Sequence, residues 1–135
     1  MRIGHLIIAH GLLASEFLSA LEFITGPQSS FKALALDHAL DVDRARDIVL
    51  KALEEIKGDE GSIVLTDLFG GAPSNIAISL IDERKIEIVA GINLPLLIHA
   101  VVLGDSLPLK EKALKLRDYG RSNVFLASEV LSGGK

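Results

Sequence analysis

The chain has 135 residues, of which 14 are Lys or Arg and 18 are Asp or Glu, so its formal net charge is −4. Nucleic-acid binding depends on clustered positive charge, and this even balance argues against it. The sequence contains no cysteine, which excludes disulfide bonds, thiolate metal sites and a cysteine nucleophile. Its length and its 49% apolar content fit a single domain over residues 1–135. No apolar run approaches the roughly 20 residues that a bilayer requires, and we expect a cytoplasmic protein.

Strand-like and helix-like segments alternate along the chain. Residues 3–9 form a short apolar run typical of a strand buried on both faces, and residues 13–24 carry an apolar stripe at helical spacing. Asp41 can cap a helix that ends near Gly58. The same criteria predict strands at 31–36, 62–66, 86–90 and 124–130, and helices at 42–56, 74–81, 94–103 and 108–119.

This alternation is typical of parallel β-α-β units with right-handed crossovers. It therefore predicts an α/β fold built on a doubly wound sheet. In such sheets ligands bind at the carboxyl ends of the strands, where the winding direction reverses. Functional residues are therefore expected directly after the predicted strands.

Two predicted strands end in residues suited to phosphoryl chemistry. The first is followed by His10, and the third is followed by Asp67 and a Gly-Gly turn. An imidazole can accept a phosphoryl group through one ring nitrogen while a carboxylate holds the other. Backbone N–H groups of the turn can face the phosphoryl oxygens. We predict His10 and Asp67 as catalytic residues, with phosphoryl contacts from Gly11, Gly70, Gly71 and Ala72.

These residues also have ordinary structural interpretations. A histidine at a strand end is often held by nearby backbone, and Asp67 could simply cap a turn. Among the other histidines, we interpret His5 as structural or surface, His38 as solvated, and His99 as packed with one hydrogen-bond partner. No two histidines have the spacing of a helical metal pair, so we expect neither a metal nor a cofactor.

Three motifs give the chain a family resemblance. They are IGHLIIAHG at residues 3–11, LTDLFGGAPSN at residues 65–75 and IVAGINLP at residues 88–95. In this order and at this spacing they resemble the mannose-family enzyme IIA domain of the bacterial sugar phosphotransferase system (PTS). The likeness extends over nearly the whole chain.

The resemblance implies both a fold and a mechanism. The family fold is an α/β sandwich on a mostly parallel four-stranded sheet, with the first and third strands as neighbours at the reversal point. His10 would accept the phosphoryl group from the phosphohistidine of the carrier HPr, and Asp67 would hydrogen-bond the other ring nitrogen. The group would then pass to a IIB partner, and only IIC and IID components would reach the membrane. Family members form homodimers by exchanging a C-terminal strand, for which residues 124–130 are the candidate.

Several side chains near the predicted site bear on partner recognition. Ala72 stands where the family often carries Ser or Thr, whose hydroxyl would bond the phosphoryl group at a net worth of about 0.5–1.5 kcal/mol. Apolar residues flanking the two strand ends are predicted to dock HPr and IIB, although one of them equally fits the core stripe of its helix. The predicted docking residues are Leu12, Phe69 and Leu94, with Leu13 as the one that fits either role.

Two other functions would use the same histidine chemistry. One is a regulatory module whose phosphorylation state is sensed by a partner without sugar uptake, and the other is a phosphotransfer subunit serving dihydroxyacetone kinase. The motif at 67–75 favours the mannose type over the latter. A flavodoxin-like binding domain would need a Ser/Thr-rich loop after the first strand, and residues 10–14 are too apolar for one.

Overall fold

The computed structural model describes residues 3–36, 41–81 and 85–133, so His38 lies outside the described residues. Within these ranges, strands and helices alternate as predicted through the fourth strand. The elements are β1 (Gly4–Ala9), α1 (Leu13–Thr25), β2 (Phe31–Ala35), α2 (Val42–Ile56), β3 (Ser62–Thr66), α3 (Ala72–Ile78), β4 (Ile86–Ala90), α4 (Leu94–Leu103), α5 (Leu109–Ser122) and α6 (Ala127–Leu131). None of the described helices combines the length and hydropathy that crossing a bilayer would take.

The four strands form one parallel sheet in the order β2-β1-β3-β4. The chain steps from β1 to the edge strand β2 and then returns to pair β3 with the other side of β1. This reversal confirms that the first and third strands are neighbours. Ile8 of β1 pairs with Thr66 of β3, so both strands end at the same level. The residues that follow them, His10 and Asp67, therefore emerge side by side.

Helices cover both faces of the sheet, and the central strands β1 and β3 are therefore buried along their whole length. Side chains of alternate strand residues, such as Ile7 and Leu65, pack against α1, α4 and α5. Their neighbours on the opposite face, such as Ile8 and Val64, pack against α2 and α3. This is the predicted three-layer, doubly wound sandwich with an aliphatic core.

Local sequence signals account for the starts of α2 and α3. The Asp41 side chain accepts a hydrogen bond from the N–H of Arg44 at 2.8 Å, which confirms it as the cap of α2. Helix α3 begins at Ala72, two residues earlier than predicted. Pro73 lies in its first turn, where a missing N–H costs no helical hydrogen bond.

The prediction of a strand at residues 124–130 is wrong for the single chain. Residues 124–126 have no regular structure, and Ala127–Leu131 is the short helix α6. A strand needs a hydrogen-bonded neighbour, and this segment pairs with neither edge of the described sheet. With no such neighbour, its Ala, Glu and Leu residues favour a helical turn. Its apolar side chains remain exposed.

Candidate active site

His10 and Asp67 are in direct contact at the carboxyl edge of the sheet. The Nδ1 atom of His10 lies 2.8 Å from Asp67 Oδ2, and the backbone N–H of His10 donates to the same oxygen at 3.0 Å. The other carboxylate oxygen, Oδ1, accepts the N–H of Leu68 at 2.9 Å. A carboxylate is an acceptor, so this contact places the ring proton on Nδ1. The nucleophilic lone pair then belongs to Nε2, the nitrogen that Asp67 does not contact.

The two partners differ in exposure. The side chain of Asp67 is only 11% exposed, whereas that of His10 is 39% exposed at the surface. Burial acts to raise the pKa of Asp67, but hydrogen bonds from His10 and Leu68 outweigh it, and the net pKa lies below its usual value. Asp67 therefore stays ionised at neutral pH and remains an acceptor for the ring.

Gly71 approaches the His10 ring closely. A Cβ atom built on Gly71 would lie 2.8 Å from His10 Cε1 and 3.3 Å from Nε2. Contacts this short leave no room for a side chain, so glycine lets the backbone lie against the edge of the ring that carries Nε2. The turn after β3 is therefore part of the site.

Two side chains of α3 hold this turn, and we predicted no role for them. The hydroxyl of Ser74 accepts the N–H of Gly70 at 2.8 Å and donates to the carbonyl of Gly71 at 3.0 Å. The Nδ2 of Asn75 donates to the carbonyl of Gly70 at 3.2 Å. The sequence signal was a serine and an asparagine that follow the Gly-Gly pair after two intervening residues, in the first turn of a helix.

The predicted phosphoryl contacts are placed unequally. The N–H of Gly70 already donates to Ser74. The prediction of backbone contacts to a phosphoryl group therefore depends on the N–H groups of Gly71, Ala72 and Gly11. Gly71 and Ala72 precede the first helical bond of α3, from the N–H of Asn75 to the carbonyl of Gly71, and their N–H groups have no acceptor within the helix. Gly11 is exposed in the turn after β1.

The predicted docking residues fall into two groups. Leu12 is 73% exposed and Phe69 is 75% exposed, and each lies within two residues of a catalytic candidate. Leu13, the first residue of α1, is also largely exposed. Leu94, the first residue of α4, is half-buried and packs against the core, so it offers only part of its surface.

The remaining described histidines are structural. The ring of His5 is buried, stacks on Phe31 with centroids 4.2 Å apart, and lies 3.2 Å from the hydroxyl of Ser30. The ring of His99 stacks on Tyr119 at 3.9 Å, without the predicted hydrogen bond among the described residues. In the same part of the chain, no group of three or more His, Asp or Glu side chains is placed to hold a metal ion.

The fold and the site together define a doubly wound α/β domain with a histidine-carboxylate pair at its switch point. The sequence family EIIA-man, described as PTS system fructose IIA component, matches residues 4–116, and the chain belongs to this family. The fructose-specific EIIA component of the PTS from Bacillus subtilis (strain 168) is 26% identical over 130 residues, which cover 96% of this chain and 89% of that protein.

Longer relatives and solved structures agree with this membership. The PTS mannose-specific EIIAB component of Escherichia coli (strain K12) is 25% identical over 126 residues, which are 92% of this chain but 39% of that protein. A crystal structure of the PTS IIA protein associated with the fucose utilization operon from Streptococcus pneumoniae has a TM-score of 0.83 at 27% identity. The match covers 97% of both chains.

Proposed function

We propose that this chain is a phosphocarrier that takes a phosphoryl group onto Nε2 of His10 from an HPr-type carrier and passes it to a IIB component. The observation that carries the proposal is the 2.8 Å contact between His10 Nδ1 and Asp67 Oδ2. In the first step the phosphorus–nitrogen bond of the donor phosphohistidine breaks as a bond from phosphorus to Nε2 forms. The donor leaves as a neutral imidazole, and the second step repeats this exchange with IIB as acceptor.

Asp67 supports this chemistry throughout the cycle. The ionised carboxylate keeps the proton on Nδ1, so the lone pair of Nε2 is available for attack. Once the ring is phosphorylated, the same charge-assisted hydrogen bond stabilises the positive charge that the ring acquires. The backbone N–H groups of Gly71 and Ala72 are the proposed donors to the phosphoryl oxygens, because Gly71 lies against the edge of the ring that carries Nε2. Ala72 brings no hydroxyl, so these contacts come from the backbone alone.

The family and its relatives favour a role in sugar uptake. The relatives named above are a fructose-specific EIIA component and a mannose-specific EIIAB component, and the solved structure is that of a PTS IIA protein associated with a fucose utilization operon. These names favour uptake over the regulatory module and over the dihydroxyacetone kinase subunit. In the proposed role the protein works in the cytoplasm and meets the membrane only through IIC and IID components.

The exposed apolar side chains beside His10 are the proposed docking surface for both protein partners. Leu12 and Phe69 are about three-quarters exposed and lie on the two loops that form the site. Transfer between two imidazoles requires their alignment and the exclusion of water, which an apolar contact around the histidine provides. Amide shift mapping with unphosphorylated HPr should move the signals of Leu12 and Phe69. Shifts confined to another face would contradict this surface.

The test of the proposed function is phosphorylation by the complete donor chain. Incubation with phosphoenolpyruvate, enzyme I and HPr should add one acid-labile phosphoryl group, detected by intact mass. His10→Ala should abolish the added mass, whereas the control His99→Ala should retain it. A wild-type chain that gains no phosphoryl group would reject the function, and labelling of His10→Ala would reject the assigned residue.

A further inference from the structure

Both backbone polar groups of Gly70 are held by consecutive side chains of α3. Its N–H donates to Ser74 Oγ at 2.8 Å, and its carbonyl accepts from Asn75 Nδ2 at 3.2 Å. The Ser74 hydroxyl also donates to the carbonyl of Gly71 at 3.0 Å, so one side chain bonds two successive residues of the turn. Ser74 is fully buried, and the hydrogen bonds it makes are shielded from water.

We propose that Ser74 and Asn75 are positioning residues that fix the Gly70-Gly71 turn against the His10 ring. Two successive glycines have more conformational freedom than any other pair, and Gly70 has a φ of +94°, which glycine alone adopts readily. Without a restraint the turn would sample several conformations. The hydrogen bonds from α3 select the one in which Gly71 lies against the Nε2 side of the ring.

This inference rests on the proposed phosphocarrier function and adds a source of order to the site. The backbone donors proposed for the phosphoryl oxygens belong to Gly71 and Ala72, which directly follow Gly70 in the turn. Electrostatic stabilisation of a transferred group depends on donors that are already oriented when it arrives. Because position 72 has no hydroxyl here, the orientation of the backbone N–H groups carries correspondingly more of the binding.

The reach of the Ser74 bond separates it from ordinary helix capping. An N-cap side chain accepts an N–H from the first turn, and in a capping box the third residue of the helix reaches back only to the N–H of the N-cap residue, here Gly71. Ser74 is the third residue of α3 and instead accepts an N–H that lies outside the helix, at Gly70. Ser79 gives a matched comparison, because its hydroxyl donates to the carbonyl of Ile76 at 2.6 Å and makes no bond to the turn.

The experiment compares Ser74→Ala, Asn75→Ala and the control Ser79→Ala in two measurements. The first is the single-turnover rate of transfer from phosphorylated HPr at saturating donor concentration, and the second is amide exchange at Gly70 and Gly71 by NMR. Both turn variants should slow transfer by about two- to tenfold, the factor for one neutral hydrogen bond lost in the transition state. Ser74→Ala should also accelerate exchange at Gly70, while Ser79→Ala should change neither measurement.

The two measurements separate this inference from the function beneath it. Unchanged transfer in both turn variants, with a normally phosphorylated wild type, would overturn the positioning role and leave the function intact. Unchanged amide exchange at Gly70 in Ser74→Ala would overturn the restraint of the turn by Ser74, whether or not the protein becomes phosphorylated. Asn75 is exposed, so Asn75→Ala keeps the test valid if Ser74→Ala folds poorly.

Discussion

Asp67 uses both carboxylate oxygens as acceptors, a pattern that an amide cannot reproduce. Oδ2 accepts two bonds from His10, and Oδ1 accepts the N–H of Leu68. An asparagine has one carbonyl oxygen and one NH₂ group, so either His10 or Leu68 would face a donor. We therefore expect Asp67→Asn to fold but to slow single-turnover transfer roughly ten- to a hundredfold, the equivalent of about 1.5–3 kcal/mol.

Asp41 supplies the matched control for this substitution. It is another aspartate whose side chain accepts a backbone N–H, but it lies at the start of α2, and asparagine caps helices equally well. Asp41→Asn should therefore leave both the transfer rate and the thermal midpoint unchanged. A wild-type transfer rate in Asp67→Asn would remove Asp67 from the mechanism.

Gly71 is a second residue whose identity is set by the His10 ring. Its φ of −80° is open to any residue, so alanine would add no backbone strain there. The added Cβ would instead meet the ring at 2.8 Å and force it away from Asp67. Overpacking costs about 1–3 kcal/mol, and we expect Gly71→Ala to slow transfer roughly five- to a hundredfold.

Gly120 tests whether steric overpacking by itself has this effect. A Cβ at Gly120 would lie 2.8 Å from Leu96 Cδ1, an equally short contact far along the chain from His10. Gly120→Ala should lower the denaturation midpoint while the folded protein transfers at the normal rate. If Gly71→Ala transferred as fast as Gly120→Ala, the close approach of Gly71 to the ring would have no catalytic importance.

The sequence predicted the contact between His10 and Asp67 but not the side chains that hold the turn beside it. His10 and Asp67 were predictable because each directly follows a strand, and strand ends meet at one edge of a parallel sheet. The bonds of Ser74 and Asn75 depend on how the turn folds back over its helix, which spacing does not encode. The close approach of Gly71 to the His10 ring also depends on the folded path of the turn, so the sequence pattern does not predict it.

At the scale of elements, the spacing of apolar residues predicted the four strands of the sheet and most helices, because buried side chains recur at the period of the element that carries them. Residues 124–130 were mistaken for a strand because their apolar run satisfies the same rule without a neighbouring strand. Lys112 is a case in which the sequence pattern gives no signal, since this charged residue is buried with Leu109 and Leu116 of α5. Its Nζ donates to the carbonyl of Gly104 at 2.7 Å, at the end of α4, a contact that follows only from how α4 and α5 pack.

His5 makes the stability of the folded chain sensitive to pH. It lies opposite Phe31 in the sheet, and burial, followed by the charge of Lys112, lowers its pKa from 6.5 to about 3. Below the unfolded value, the unfolded chain binds a proton that the folded chain does not. The stability associated with neutral His5 is therefore complete above pH 6.5 and is lost as the pH falls toward 3.

The prediction is measured by urea denaturation of wild type and His5→Phe at pH 7 and pH 5. The wild type should lose about 2 kcal/mol more unfolding free energy over this interval than His5→Phe, which has no proton to bind. Phenylalanine keeps the stacking on Phe31, so the comparison isolates the titration. An equal loss of unfolding free energy in both proteins would show that folding does not lower the pKa of His5.

At the scale of the whole molecule, the C-terminal segment and one edge of the sheet are complementary. Five large apolar side chains of residues 124–131 are at least 55% exposed in the single chain. The strand β4 is an edge of the sheet, and beside it lies a groove of about 610 Å³ lined by residues of β4 and α5 together with Phe69 and Val124. Exposed edges and apolar patches of this kind mark association surfaces.

We propose a homodimer in which each C-terminal segment packs against the β4 edge of its mate, an exchange of terminal elements that costs little to evolve. Deleting residues 124–135 removes no residue of α5, which ends at Ser122. The hydrogen bond from Asn123 to the carbonyl of Tyr119 at 2.9 Å is also kept. Light scattering should therefore give twice the 14.4 kDa chain mass for the full chain and a single mass for the truncated one.

Point variants decide whether this segment itself holds the dimer. Phe125→Asp introduces a charge into the segment, and Phe23→Asp places the same charge at a side chain of α1 that is 91% exposed. Burying an unpaired carboxylate in an interface is strongly unfavourable, so Phe125→Asp should dissociate the dimer and Phe23→Asp should not. A truncated chain that remains dimeric would place the interface elsewhere on the surface, since nothing of the segment would be left to cross between the subunits.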